Sequence, residues 1–150
     1  MKTTREYITE YNQLLKECDT IYHSAAIRLG LSDCAFWILY TLQEEGKTVK
    51  QSDICDNASM PKQTVNSALK KLEKDGYLSL RRIDGKMGKS IHLTEKGFQF
   101  VDKKIKPIML AEEKACSLFT EEEKGMFLKV FHSLVQRLNE EISSVHAEEQ

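Results

Sequence analysis

Apolar positions recur along this chain at spacings of three and four, the pattern of helices that bury one face. From about Thr4 to Leu29 the residues Ile8, Tyr11, Leu15, Cys18, Tyr22 and Ala25 form one stripe of a long helix, which Gly30 ends. Ser32 is placed to cap the next helix, and Asp33 in its first turn suits the positive end of the dipole. Ala35, Phe36, Leu39 and Leu42 form its inward face, and Gly46 closes it. A short helix is expected over about 51–57. Ala58-Ser59-Met60 then leads into Pro61, whose missing N–H costs nothing in the first turn of a helix that runs to about Asp75. Gly76 suits the left-handed position after that helix. Residues 77–82 and 90–93 read as two short strands around the glycine-rich tip Asp84-Gly85-Lys86-Met87-Gly88.

Thr94 begins another helix, and Pro107 inside it predicts a kink or break near Lys106. Thr120 with Glu123 forms a capping box for the last helix. There Phe127, Val130, Phe131, Leu134, Leu138, Ile142 and Val145 hold the three-four period for about five turns, more apolar stripe than a small monomeric core needs. The excess points to a partner helix. The predicted class is therefore mostly α with a small β-hairpin wing, and no internal repeat or long linker divides it.

Composition narrows the function classes. The chain has 150 residues, 41% hydrophobic and 30% charged, which fits one soluble domain and is too short for two catalytic ones. Twenty-two bases against 23 acids give a net charge of −1, so overall charge names no partner. No apolar run reaches the roughly 18 residues of a membrane span, nor does an apolar segment open the chain, so a cytoplasmic protein is expected. Cys18, Cys34, Cys55 and Cys116 contain no C-x-x-C pair, and buried or inert thiols are expected. His23, His92, His132 and His146 form no i,i+4 pair with one another or with a cysteine, so no metal or other cofactor is expected.

The order from Ala35 to Leu93, helix, short helix, turn, helix, hairpin, is that of a winged helix-turn-helix. Charge is concentrated in it. Residues 60–96 hold nine bases and four acids, a local charge of +5, while the remainder carries −6. On the helix after Pro61, Val65, Ala68, Leu69 and Leu72 fall on one side, and Gln63, Asn66, Ser67, Lys70 and Lys74 on the other. Gln63 and Asn66 match the donor and acceptor that adenine presents in the major groove. Lys70 and Lys74 suit guanine or phosphate, and Thr64 and Ser67 add short hydrogen bonds. The hairpin adds Arg81, Arg82, Lys86 and Lys89, a basic ribbon suited to a minor groove or its phosphate walls. Asp84 has two readings, a strut orienting one of these cations or a plain turn residue before Gly85. A solvated basic helix face is the bland alternative for an isolated helix, and the order of elements weighs against it.

These residues resemble the multiple antibiotic resistance regulator (MarR) family of dimeric transcription factors. LSDCAFWILYTLQEEG is similar to that family's second helix, QSDICDNASMPKQTVNSALKKLEKDGYL to its helix-turn-helix, and RRIDGKMGKSIHLTEKG to its wing and the helix start beyond it. The resemblance covers essentially the whole chain. It implies one domain over 1–150, with a DNA-binding part at about 32–94 and dimerisation helices at about 4–30 and 95–146. The implied homodimer would place recognition helices about one DNA turn, roughly 34 Å, apart on a pseudo-palindromic operator. Recognition contacts carry over to Lys62, Gln63, Thr64, Asn66, Ser67 and Lys70, and the wing's basic tip to Lys86, where lysine stands in place of the usual arginine. Dimer contacts are expected from Ile8, Phe127, Phe131, Leu134, Leu138 and Ile142.

Relatives of this kind release DNA on binding a small molecule or on thiol oxidation, in the cleft between dimer helices and winged domain. The corresponding residues here are Tyr11, Cys18, Tyr22, His23, Phe36 and Trp37. Trp37 has two readings, packing or a wall of that cleft. Cys18 lies on the apolar stripe, which favours inert burial over sensing, and Cys34 near a helix N-terminus invites a lowered pKa. The expected activity is that of a transcriptional regulator, more readily a repressor, and not an enzyme. Two rivals remain: a winged-helix module for a protein partner, and a small enzyme using Cys18 or Cys34 as nucleophile.

Overall fold

The computed structural model describes residues 1–44, 46, 48–57 and 59–147, so Ala58 and the side chain of His146 lie outside the described part. Its helices are α1 (Thr4–Arg28), α2 (Asp33–Glu44), α3 (Gln51–Asn57), α4 (Lys62–Lys74), α5 (Glu95–Phe100), α6 (Lys106–Cys116) and α7 (Glu121–Ala147). Three strands, β1 (Thr48–Lys50), β2 (Leu78–Arg82) and β3 (Lys89–Leu93), form one antiparallel sheet in the order β1-β3-β2. The class read from the sequence, mostly α with a small β wing, holds. The chain divides into two compact units, one ending at Ile108 and the other beginning at Met109.

The first unit is built on α2. Its expected inward residues Ala35, Phe36, Leu39 and Leu42 are buried, and Cys34 and Ile38 join them. Against this helix pack α1, α4 and the segment after α5. Val65, Leu69 and Leu72 of α4, Leu78 and Ile91 of the sheet, and Val101 and Ile105 complete a core in which each is at most 2% exposed. Burying side chains of this size is worth roughly 1.5–3 kcal/mol apiece. The Ser32 hydroxyl caps α2 as expected, accepting the Ala35 N–H at 3.1 Å.

Of the three glycines read as helix terminators, Gly30 and Gly76 are described with their closing hydrogen bonds, while Gly46 stands between residues outside the described part. Gly30 (φ +70°) and Gly76 (φ +81°) follow α1 and α4 in the left-handed region. After α4 the Gly76 N–H bonds Glu73 O and the Tyr77 N–H bonds Leu72 O, and the same pair of bonds recurs at Gly30 and Leu31. These are Schellman closures, which satisfy the last carbonyls of each helix. Tyr77 is consequently drawn into the closure, and β2 starts one residue later than expected. Strand β1 was not expected at all. Its three residues are strand because they pair with β3, Val49 opposite Ile91, which is a distant contact rather than a local preference.

A latch joins this turn to the next helix. The Thr94 N–H bonds Tyr77 O at 3.1 Å, and the Thr94 hydroxyl donates to Gly76 O while accepting the Gly97 N–H at 3.0 Å. Gly97 lies so close to Tyr77 that a Cβ there would stand 1.7 Å from the Tyr77 oxygen.

The break expected near Lys106 takes another form. Residues Val101–Ile105 widen into a π-helical turn in which the Lys106 N–H reaches Val101 O, and α6 carries on through Pro107. The ring removes an N–H and crowds the preceding turn, and widening relieves both without ending the helix.

In the second unit Thr120 and Glu123 form the expected capping box, Glu123 N–H to Thr120 Oγ1 at 3.2 Å and Thr120 N–H to Glu123 Oε2 at 2.8 Å. These bonds hold the Glu123 carboxyl below its usual range. Thr3 and Glu6 make a second such box on α1, which the sequence reading passed over. On α7 Phe127, Val130, Ile142 and Val145 are exposed, while Phe131, Leu134 and Leu138 are half-buried.

Gly97→Ala is expected to lower stability by about 1–3 kcal/mol, since the obstructing atom is backbone and must move. Chemical denaturation of the two proteins measures this, and an unchanged midpoint would contradict the latch.

Candidate nucleic-acid interface

Helix α4 owes its two faces to its sequence. Val65, Ala68, Leu69 and Leu72 are buried, and Lys62, Gln63, Thr64, Ser67, Lys70 and Lys74 are exposed. Pro61 stands at the N-cap, one position before the expected first turn. Asn66 differs from its neighbours. It is half-buried, and its Oδ1 accepts a hydrogen bond from Gln51 Nε2 at 2.8 Å, tying α4 to α3. One lone pair of its carbonyl is therefore already engaged, which fixes the amide plane and leaves the second lone pair and the amide N–H groups for other partners.

The hairpin stands beside this face. Arg81, Arg82, Lys86 and Lys89 are all exposed, and the register sets Arg82 directly opposite Lys89. Like charges facing each other across strands are destabilising by themselves, an arrangement that an anion relieves. At the tip the Lys86 N–H bonds Ile83 O at 3.2 Å around Asp84 and Gly85, with Gly85 at φ +67° and Gly88 at φ +106°. This is a type II turn, and Asp84 occupies its second position, exposed, as the turn reading has it.

A recess of about 510 Å³ opens between α3, α4 and the hairpin, and Gln51, Asp56, Lys62, Asn66, Lys70 and Lys89 are among the residues that line it. Three cations, from α4 and the hairpin, thus line one space with a single acid, Asp56 of α3. Two other bases of the +5 segment serve the scaffold. Lys71 pairs with Asp75 at 3.0 Å, and Lys96 donates to Asp75 O at 2.6 Å and lies 4.6 Å from the Tyr77 ring centre.

In the sequence Glu73 is one of the four acids of the +5 segment. In the structure its carboxylate accepts the Leu80 N–H of β2 at 2.8 Å. No local signal marks it, because the partner is a backbone group on an edge strand.

Of the expected effector residues, Tyr22, Phe36 and Trp37 come together, with ring centres 4.9 Å apart for Tyr22–Trp37 and 5.1 Å for Phe36–Trp37. Tyr40, not foreseen, lies 5.2 Å from Trp37. His23 is held by Asp33 at 2.8 Å, and Tyr11 is half-buried. Trp37 also borders a cavity of about 310 Å³ with Cys34, Ile38, Thr41, Ile54, Ser59 and Met60, a different set from the expected cleft.

Two thiol expectations are corrected. Cys18 is exposed in the chain, as is Cys116, because the outer half of α1 is not covered there. Cys34 is buried, and burial pushes its thiol pKa up, with Cys55 adding to the effect, which outweighs its position near a helix N-terminus. Among the described residues no group of three His, Cys, Asp or Glu side chains is placed to hold a metal ion. No single described helix is long and apolar enough to cross a membrane.

Residues 29–86 match the sequence profile of the MarR family. Solved structures extend the likeness to nearly the whole chain. A MarR family regulator from Neisseria meningitidis is 23% identical with a TM-score of 0.71, over 90% of this chain and 97% of that one. A MarR family regulator from Listeria monocytogenes, solved with a 26mer DNA, is 23% identical with a TM-score of 0.69, over 92% and 90%. The organohalide-sensing transcriptional regulator RdhR, in its 2,4-dichlorophenol-bound form, is 19% identical with a TM-score of 0.65, over 91% and 82%. No curated protein sequence matches the chain. The chain has the fold of MarR-family transcriptional regulators, and residues 29–86 carry that family's sequence pattern.

A thiol-disulfide reagent at neutral pH is expected to label Cys18 and Cys116 quickly and Cys34 only after unfolding, since the buried thiol is both shielded and protonated. Mass mapping of labelled peptides reads the order; rapid labelling of Cys34 in the folded protein would refute it.

Proposed function

We propose that this protein is a DNA-binding transcriptional regulator that acts as a homodimer on a pseudo-palindromic operator in the cytoplasm, repressing by occlusion of the promoter. The observation that carries the reading is the continuous polar and basic surface of α4 and the hairpin, with Lys62, Lys70 and Lys89 around one recess. In this reading Gln63, Thr64 and Ser67 read base edges. Lys62, Lys70, Lys74, Arg81, Arg82, Lys86 and Lys89 hold phosphates, and the Asn66 amide reaches an acceptor from its Gln51-fixed position. The Listeria relative solved with DNA supports it. The activity is binding, and it needs no cofactor.

Dimerisation rests on α1 and α7. Ile8, Phe127, Phe131, Leu134, Leu138 and Ile142 would meet a second copy, since an apolar stripe left facing water is unfavourable. The Tyr22–Phe36–Trp37 cluster and the cavity beside Trp37 are the proposed place for a small-molecule effector, and RdhR, solved with 2,4-dichlorophenol, supports that kind of control. An effector acts by binding the released geometry more tightly than the DNA-bound one.

Selection of bound fragments from a genomic DNA library at two salt concentrations tests the reading. Recovery of an inverted repeat that survives the higher salt is expected; no motif at either salt would favour a protein-partner module instead. On the recovered site Gln63→Ala is expected to cost about 1–3 kcal/mol and relax one base position. Lys86→Ala is expected to weaken all sequences alike and reduce the salt slope by about one. Phe127→Asp with Ile142→Asp is expected to give monomers in sedimentation, with loss of operator binding; intact dimers would displace the interface from α7.

A further inference from the structure

We infer that Glu73 is a positioning residue that sets the hairpin against the recognition helix, so that base contacts and hairpin contacts fall in one register on the duplex. The inference rests on the DNA-binding reading above and assigns a role within it to a side chain that touches no DNA. Two local terms oppose an acid at this point. Glu73 lies in the last turn of α4, where the helix dipole favours cations, and within the +5 surface, where a carboxylate repels phosphate. What it gains there is a single bond. Its Oε2 accepts the Leu80 N–H at 2.8 Å, seven residues further on.

The location of that N–H gives the bond its consequence. β2 is one of the two edge strands of the sheet, so the backbone groups on its free side have no strand partner. Glu73 supplies a partner for one of them, from the helix that carries the polar face. Arg81 and Arg82 follow Leu80 directly, and across the ladder Arg82 faces Lys89. The other local ties between α4 and the hairpin are the closure at Gly76–Tyr77 and the buried Leu78, both at the base of β2. The Glu73 bond is a further point of attachment beyond the base, and it prevents β2 from pivoting about the turn.

Three variants separate reach from charge. Glu73→Gln keeps an acceptor oxygen at the same reach and removes the charge. Glu73→Asp keeps the charge and withdraws the oxygen by one methylene. Glu73→Ala removes both. Two readouts are needed: hydrogen exchange of the Leu80 amide in the folded protein, and the ratio of affinities for the selected operator and for unrelated duplex.

Glu73→Ala and Glu73→Asp are expected to speed Leu80 exchange and lower the affinity ratio, each by about tenfold, the size of a typical net hydrogen bond. Glu73→Gln is expected to keep both close to wild type while binding all sequences more tightly through the lost charge. The inference is overturned if Glu73→Ala and Glu73→Gln tighten binding to every sequence alike with the ratio unchanged, or if Leu80 exchange is the same in all four proteins. A wild type that shows no operator preference would instead overturn the DNA-binding reading, and the role of Glu73 with it. Glu73→Asp and Glu73→Gln carry the comparison if Glu73→Ala loses helicity.

Discussion

The peptide oxygen of Tyr77 is the point through which the winged unit is joined. It accepts the Thr94 N–H, and Gly97 lies against it so closely that no side chain fits. Beside Tyr77 α4 ends and β2 begins, and beside its partner Thr94 β3 ends and α5 begins. The Thr94 hydroxyl spans the junction by donating to the carbonyl of the glycine that closes α4 and capping the helix that follows β3. The polar face of α4 and the cations of the hairpin have their relative placement from this junction, and Glu73 refines it from outside the core.

Charge segregation does in this chain what overall charge cannot. A net charge of −1 provides no long-range attraction to a polyanion, yet the segment from α4 through the hairpin is distinctly positive. Its bases have divided roles. Lys71 and Lys96 are used against Asp75 and its carbonyl, at the carboxyl end of α4 where cations are favoured. Lys62, Lys70, Lys74, Arg81, Arg82, Lys86 and Lys89 stand exposed, and the register that sets Arg82 opposite Lys89 carries a local repulsion that a bound anion would reduce.

The parts of the fold that were legible in the sequence are those governed by local rules. The stripes of α2 and α4, the closures at Gly30 and Gly76, the cap at Ser32 and the box at Thr120 each follow from residues within one turn of one another. The parts that were not legible depend on distant partners. β1 is a strand because β3 lies beside it. Asn66 is half-occupied because Gln51 reaches it from another helix. Cys34 illustrates the conflict directly: its place near a helix start argues for a lowered pKa, and burial in the assembled core reverses the sign. Pro107 announces a disturbance, but its form, a widened turn whose Val101 and Ile105 are buried in the core, is not contained in a linear reading.

The two glycines of the hairpin tip bear on how such a surface can change over generations. Gly85 and Gly88 both have positive φ, and nothing lies within 4 Å of where a Cβ would stand on either. The tip is thus constrained by the sign of a backbone angle and by little else, whereas α4 is bound to the core by four buried side chains. A mutation on the polar face of α4 must coexist with that packing, whereas a side chain at Gly85 or Gly88 would meet no neighbouring atom and only the cost of the backbone angle. Under the proposed DNA-binding reading, the contacts made by the tip are therefore freer to diverge between descendants of this protein than those made by α4.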